Sequence, residues 1–175
     1  MSSANPPSSE EQSETWRRLE RDHLAAVGMV ASNWAYFEAV IDDWVLRLAH
    51  IEPSIGACIT AQIAGSGRKL DAFISLSGFL RASAPSANDW EKFASKVAGV
   101  AERRNRVVHD PWFLIDPENP IRLEATARKK LRLEMILVPT TEVNKLAKDI
   151  EKLRAKFEDM ARFAITSLPS TSPEK

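Results

Sequence analysis

The stretch AERRNRVVHDPWFLID, Ala101 to Asp116, decides the fold, because one periodicity ends inside it and another begins. Up to His109 the apolar residues recur at three and four, the step of a helix. Asp110 precedes Pro111, and a residue before proline is driven out of the helical region. From Trp112 the chain reads as a short apolar run closed by PENP, a turn. IRLEATA and LRLEMILV then alternate apolar and polar at period two, the pattern of half-buried strands. Residues 112–138 are therefore expected to form two or three antiparallel strands. Arg128, Lys129 and Lys130 sit at their basic hairpin tip.

Upstream, the motif helix starts near Trp90, after the loop SAPSAND, with Asn88 or Asp89 as its N-cap. A second helical region covers about 54–82, and GSG at 65–67 divides it into two short helices. The first helix runs from Thr15 to Pro53 with Trp34, Phe37, Ile41 and Leu48 on its stripe and Gly28 as a bend point. At ~1.5 Å per residue it is on the order of 50 Å long, a spine for other helices or half of a dimer contact. Downstream, Thr140 or Thr141 caps a last helix carrying Val143, Leu146, Ile150, Leu153, Phe157, Met160 and Ala164. The expected fold is mainly α: an antiparallel helical bundle with a small antiparallel β insertion before the last helix. Residues 15–166 form one domain, while 1–14 and 167–175 have the Ser, Pro and Glu content of a disordered arm and tail.

Composition narrows the function. The 175 residues are 44% hydrophobic and 27% charged, an ordinary globular profile. The 24 basic residues balance 24 acidic ones. That excludes non-specific coating of nucleic acid, which needs a positive excess, but leaves room for a local basic site. Cys58 is the single cysteine, so no intrachain disulfide points to secretion. The N-terminus lacks the basic start and apolar run of a signal peptide. No stretch reads as a membrane span, and the expected location is cytoplasmic.

The chemistry concentrates on the motif helix. At ~100° per residue, Trp90, Phe93, Val97, Val100 and Val108 project within about 40° of Arg104, so this arginine lies in the apolar stripe. It can snorkel, pair with a carboxylate, or face a cleft or subunit interface where it meets a ligand. Asn105 and His109 share a face turned roughly 100–140° from Arg104, and the three converge only at the helix exit. His109 lies in the last turn, where the helix dipole favours a cation. Capping by this histidine beside a solvated charge cluster is the plainer alternative.

RNRVVH, Arg104 to His109, resembles the arginine, polar residue and histidine signature of the HEPN family (higher eukaryotes and prokaryotes nucleotide-binding domain). The resemblance implies an antiparallel helical bundle over 15–166, with Arg104, Asn105 and His109 on the signature positions. It implies a homodimer that brings two motifs to one cleft. It further implies a metal-independent endoribonuclease without cofactor, a toxin or defence effector with an RNA substrate and a protein or RNA antitoxin. The alternative it carries is a non-catalytic dimerisation or RNA-sensing module. A metal-free ribonuclease needs a base for the ribose 2′-hydroxyl and a cation for the developing phosphorane. Histidine changes charge near neutral pH and arginine grips phosphate bidentately.

Around the motif, Arg103, Arg106, Lys129 and Lys130 are candidates to guide RNA. Trp112 can stack on a base or pack under the strands. Glu38 can face Arg104 or lie exposed, and Asp42 and Asp43 read as solvated. His23 and His50 lack ligand spacing, so no metal site is expected. GSGRK lacks the spacing of a phosphate loop, and no serine nucleophile elbow is present.

Overall fold

The computed structural model describes residues 9–116, 119–126 and 131–169. Its elements are α1 (Ser9–Ala49), α2 (Pro53–Thr60), α3 (Ser66–Phe79), α4 (Ala87–His109), β1 (Trp112–Asp116), β2 (Asn119–Thr126), β3 (Arg132–Leu137) and α5 (Thr140–Thr166). The fold is mainly helical, with a three-stranded antiparallel sheet before the last helix. The change of period after Pro111 thus marks the change from helix to strand. The basic tip, Arg128, Lys129 and Lys130, lies outside the described residues, as do 1–8 and 170–175.

Contacts divide the chain into two units: Met1–Ala31 with Arg104–Ala147, and Ser32–Arg103 with Lys148–Lys175. The second is a helical assembly around an aromatic centre. Phe157 of α5 lies 5.3 Å from Phe73 of α3 and 6.1 Å from both Phe37 of α1 and Phe93 of α4, ring centre to ring centre. All four rings are at most 5% exposed. Such edge-on and offset pairs contribute ~0.5–1.5 kcal/mol each beyond their area.

Local chemistry sets the helix boundaries. α1 ends where His50 takes a left-handed φ of 53° and Ile51 N–H donates to the Leu46 carbonyl at 3.1 Å, closing the last turn. The α2–α3 break falls at Gly65, whose φ of 82° suits glycine. α4 begins earlier than its apolar pattern indicates. Ser86 and Asp89 form a reciprocal capping box, each accepting at 3.2 Å the other's backbone N–H. Asp89 therefore stands inside the helix and Ser86 is the cap. The N-cap Ser86 bonds hold the Asp89 carboxyl below its usual range.

Two boundaries of the expected arm and tail need correction. α1 starts at Ser9, because Glu and Gln are good helix formers even where nothing apolar is available to bury. Ser167 is tied down: its hydroxyl donates to the Ala84 carbonyl at 2.9 Å and accepts the Ala84 N–H at 3.1 Å. Within α1, Glu20–Ala49 contains a stretch long and apolar enough to cross a membrane, by length and composition alone. Its buried residues Val30, Trp34, Phe37, Ile41 and Leu48 recur at three, four and seven, as in a helix packed on one side.

The first unit holds the motif. Its core is Ala26 and Val30 of α1, Val107 of α4, Val138, and Val143, Leu146 and Ala147 of α5, with His23 buried among them. The sheet order is β1-β2-β3. Trp112 is paired with Arg122, Phe113 with Ile121, Leu123 with Met135 and Ala125 with Leu133.

Candidate functional site

The end of α4 is fastened by three devices. Asp110 N–H closes the last helical bond on the Arg106 carbonyl at 3.1 Å. Pro111 has no N–H to continue it. The Trp112 indole N–H donates to the Val107 carbonyl at 2.8 Å, satisfying one of the four carbonyls a helix end leaves open. Beyond the exit, Leu123 N–H donates to the Pro111 carbonyl at 2.9 Å and couples β2 to the turn.

Four charges lock the same exit. Arg106 lies 3.6 Å from Asp110 and 3.4 Å from Glu124, and Arg122 lies 3.4 Å from Asp110 and 3.1 Å from Glu124. The ring is closed, neutral and only 12–27% exposed. The Arg122–Asp110 contact is ionic rather than a hydrogen bond, since Arg122 Nε and Asp110 Oδ2 have no hydrogen-bond partner. Helical and strand periodicity do not announce this ring. Its trace in the sequence is Arg122 and Glu124 two apart on one strand face, opposite an Arg and an Asp four apart across a helix exit.

On the fastened exit, Arg104, Asn105 and His109 meet. Arg104 Nη1 donates to Asn105 Oδ1 at 3.0 Å and lies 3.3 Å from His109 Nε2. A guanidinium only donates, so Nε2 faces it as the acceptor. Nη1 thus spends one N–H on each neighbour. Arg104 Nε is buried with no hydrogen-bond partner, and no carboxylate pairs with Arg104 among the described residues. The long side chain bridges the 100–140° that separates these positions around the helix. Arg104 is half-buried, while Asn105 and His109 are exposed.

The remaining candidates divide. Arg106 is engaged by Asp110 and Glu124, which gives it a structural partner set and leaves little of its charge for RNA. Arg103, in the other unit, lies 3.3 Å from Asp149. Trp112 is half-buried, its N–H is taken, and its ring meets His23 edge-on at 4.3 Å, so it packs rather than offering a face to a base. Lys129 and Lys130 lie outside the described residues. Glu38 accepts the Trp34 indole N–H at 3.1 Å. Asp42, read as solvated, is instead bound to Lys69 at 2.5 Å with both side chains mostly covered.

His23 is the buried residue that spacing missed. It is 4% exposed, its Nδ1 lies 3.0 Å from Thr140 Oγ1, and Nε2 has no partner. Burial lowers its pKa, favouring the neutral ring. Its partners stand 89 and 117 residues away, and no local pattern announces them.

Among the described residues no three His, Cys, Asp or Glu side chains are placed to hold a metal. A cleft of about 510 Å³ lies in the second unit, lined by Lys92, Phe93, Lys96, Lys156 and Phe163 among others, and no motif residue lines it. Comparison with known protein families, with curated proteins and with solved structures finds no match for this chain.

Proposed function

We propose that the Arg104–Asn105–His109 cluster is the catalytic centre of an endoribonuclease that cleaves RNA without a metal. One observation carries this reading. A cation free of any carboxylate among the described residues lies 3.3 Å from the ring nitrogen of an exposed histidine at a helix exit. In the proposed step the Arg104 contact to His109 Nε2 opens as the substrate enters, and the freed Nε2 takes the ribose 2′-hydroxyl proton. The 2′-oxygen bonds to phosphorus, the bond to the 5′-oxygen breaks, and that oxygen leaves with a proton from water or from a second motif. The products are a 2′,3′-cyclic phosphate and a 5′-hydroxyl. Arg104 turns its remaining N–H groups to the phosphorane oxygens, where a charge-assisted donor is worth most. Asn105 holds Nη1 and so aims the guanidinium.

A second reading, a non-catalytic RNA-sensing or dimerisation module, is favoured by a different observation. Arg106, two residues from Arg104, is already paired with Asp110 and Glu124, so among the described residues its charge is taken up by carboxylates. Incubating wild type and His109→Ala with RNA in EDTA separates the two. The catalytic reading expects cleavage by wild type and a loss of ~10²–10⁴-fold in the variant. Binding without cleavage supports the module. Equal cleavage by both proteins places the active centre elsewhere.

A further inference from the structure

The sheet is inside out. Directly paired residues share a face, so Ile121, Leu123 and Ala125 of β2 stand beside Leu137, Met135 and Leu133 of β3. Phe113 extends the same face on β1. The opposite face carries Trp112, Arg122 and Glu124, and it is this charged face that engages α4 through the ion ring and the Val107 carbonyl. A one-sided antiparallel sheet ordinarily packs its apolar face and wets its polar one. Here Met135 is 71% exposed, Leu133 60%, Leu137 51% and Phe113 48%, with Leu131 at 70% just before β3. β3 is also an edge strand, and a long apolar edge is a template for association.

We propose that this face is the contact surface for a second copy of the chain, with two sheets packed face to face about a two-fold axis. Three observations select that occupant. The described side chains of β2 and β3 on this face carry no charge and no hydrogen-bonding group. A partner recognised by charge therefore finds nothing to read, while the same apolar patch is complementary to itself. The five exposed side chains present on the order of 500 Å², the top of the range for the largest patch on a monomer. Two copies bury about 1,000 Å² in total, the threshold for a specific interface. Net charge is zero, so two copies approach without long-range repulsion. The proposal does not depend on catalysis and stands whether or not His109 acts on RNA.

Light scattering behind size exclusion, on the full chain at micromolar concentration, tests it. Wild type should run at about 39 kDa, twice the 19.5 kDa chain. Leu133→Lys/Met135→Lys should run as a monomer, with unchanged helix content because both positions are solvent-exposed. Phe163→Lys, an equally exposed apolar site in the other unit, should remain a dimer. Should the double variant misfold, Met135→Gln keeps the length and should raise the dimer dissociation constant at least about tenfold. A monomeric wild type overturns the proposal, and so does a monomer that binds neutral lipid vesicles through this face. A double variant that stays dimeric overturns it equally.

Discussion

Asp110→Asn tests whether the four-charge ring holds the α4 exit. The substitution keeps shape and removes one charge, turning a neutral ring into one with a net positive charge in which Arg106 and Arg122 share only Glu124. The ring is 12–27% exposed, between the surface case, where a pair contributes ~0–1 kcal/mol, and the buried case, where losing a partner costs ~3–5 kcal/mol. At an effective dielectric of ~20 and about 3.5 Å, each contact is worth roughly 5 kcal/mol before desolvation, and most of that is repaid to water. A net loss of ~2 kcal/mol follows. For a chain of this length that lowers Tm by about 4–8 °C. Arg122→Gln alone should cost a similar amount, and the double variant less than the sum, with a coupling of ~1 kcal/mol. Circular dichroism melts at pH 7 measure all three. High salt should narrow the gap only in part, since covered pairs are weakly screened. A loss under ~0.5 kcal/mol, or strict additivity, would refute the ring as the fastening of the exit.

Two further outcomes follow from the same unit. His23 has a lowered pKa through burial, so the unfolded chain binds its proton first as pH falls. Stability should therefore be full above the ordinary histidine value of ~6.5 and decline below it. Melts between pH 7.5 and 5 should show this, and His23→Phe should flatten that part of the curve. Trp112→Phe keeps a ring against His23 but abandons the Val107 carbonyl, and denaturant titration should show a loss of ~1 kcal/mol.

The legible and illegible parts of this structure differ in range. The period change around Pro111, the helix stripes and the glycine break at 65 are local, and each appears where the pattern places it. The Ser86–Asp89 box is local too, but apolar periodicity points to Trp90 and conceals a cap one turn earlier. Convergence of Arg104 with Asn105 and His109 required more than helical angles, because a guanidinium reaches around the cylinder that those angles describe. His23 with Thr140 and Trp112, and Arg122 with Asp110, join distant segments and leave no periodic trace. Alternation in β2 and β3 reveals that the sheet has two faces. It does not say which one packs, and here the charged face does.

The central claim is that Arg104 and His109 perform transesterification at phosphorus. Mass spectrometry of the fragment ends, from RNA treated with wild-type protein in EDTA, tests it most directly. The account predicts 2′,3′-cyclic phosphate and 5′-hydroxyl ends, with their yield greatly reduced by His109→Ala. Arg104→Lys should reduce the yield as well, since lysine keeps the charge but loses the planar fork. Fragments ending in 3′-hydroxyl and 5′-phosphate, or RNA left intact by wild type, would contradict it.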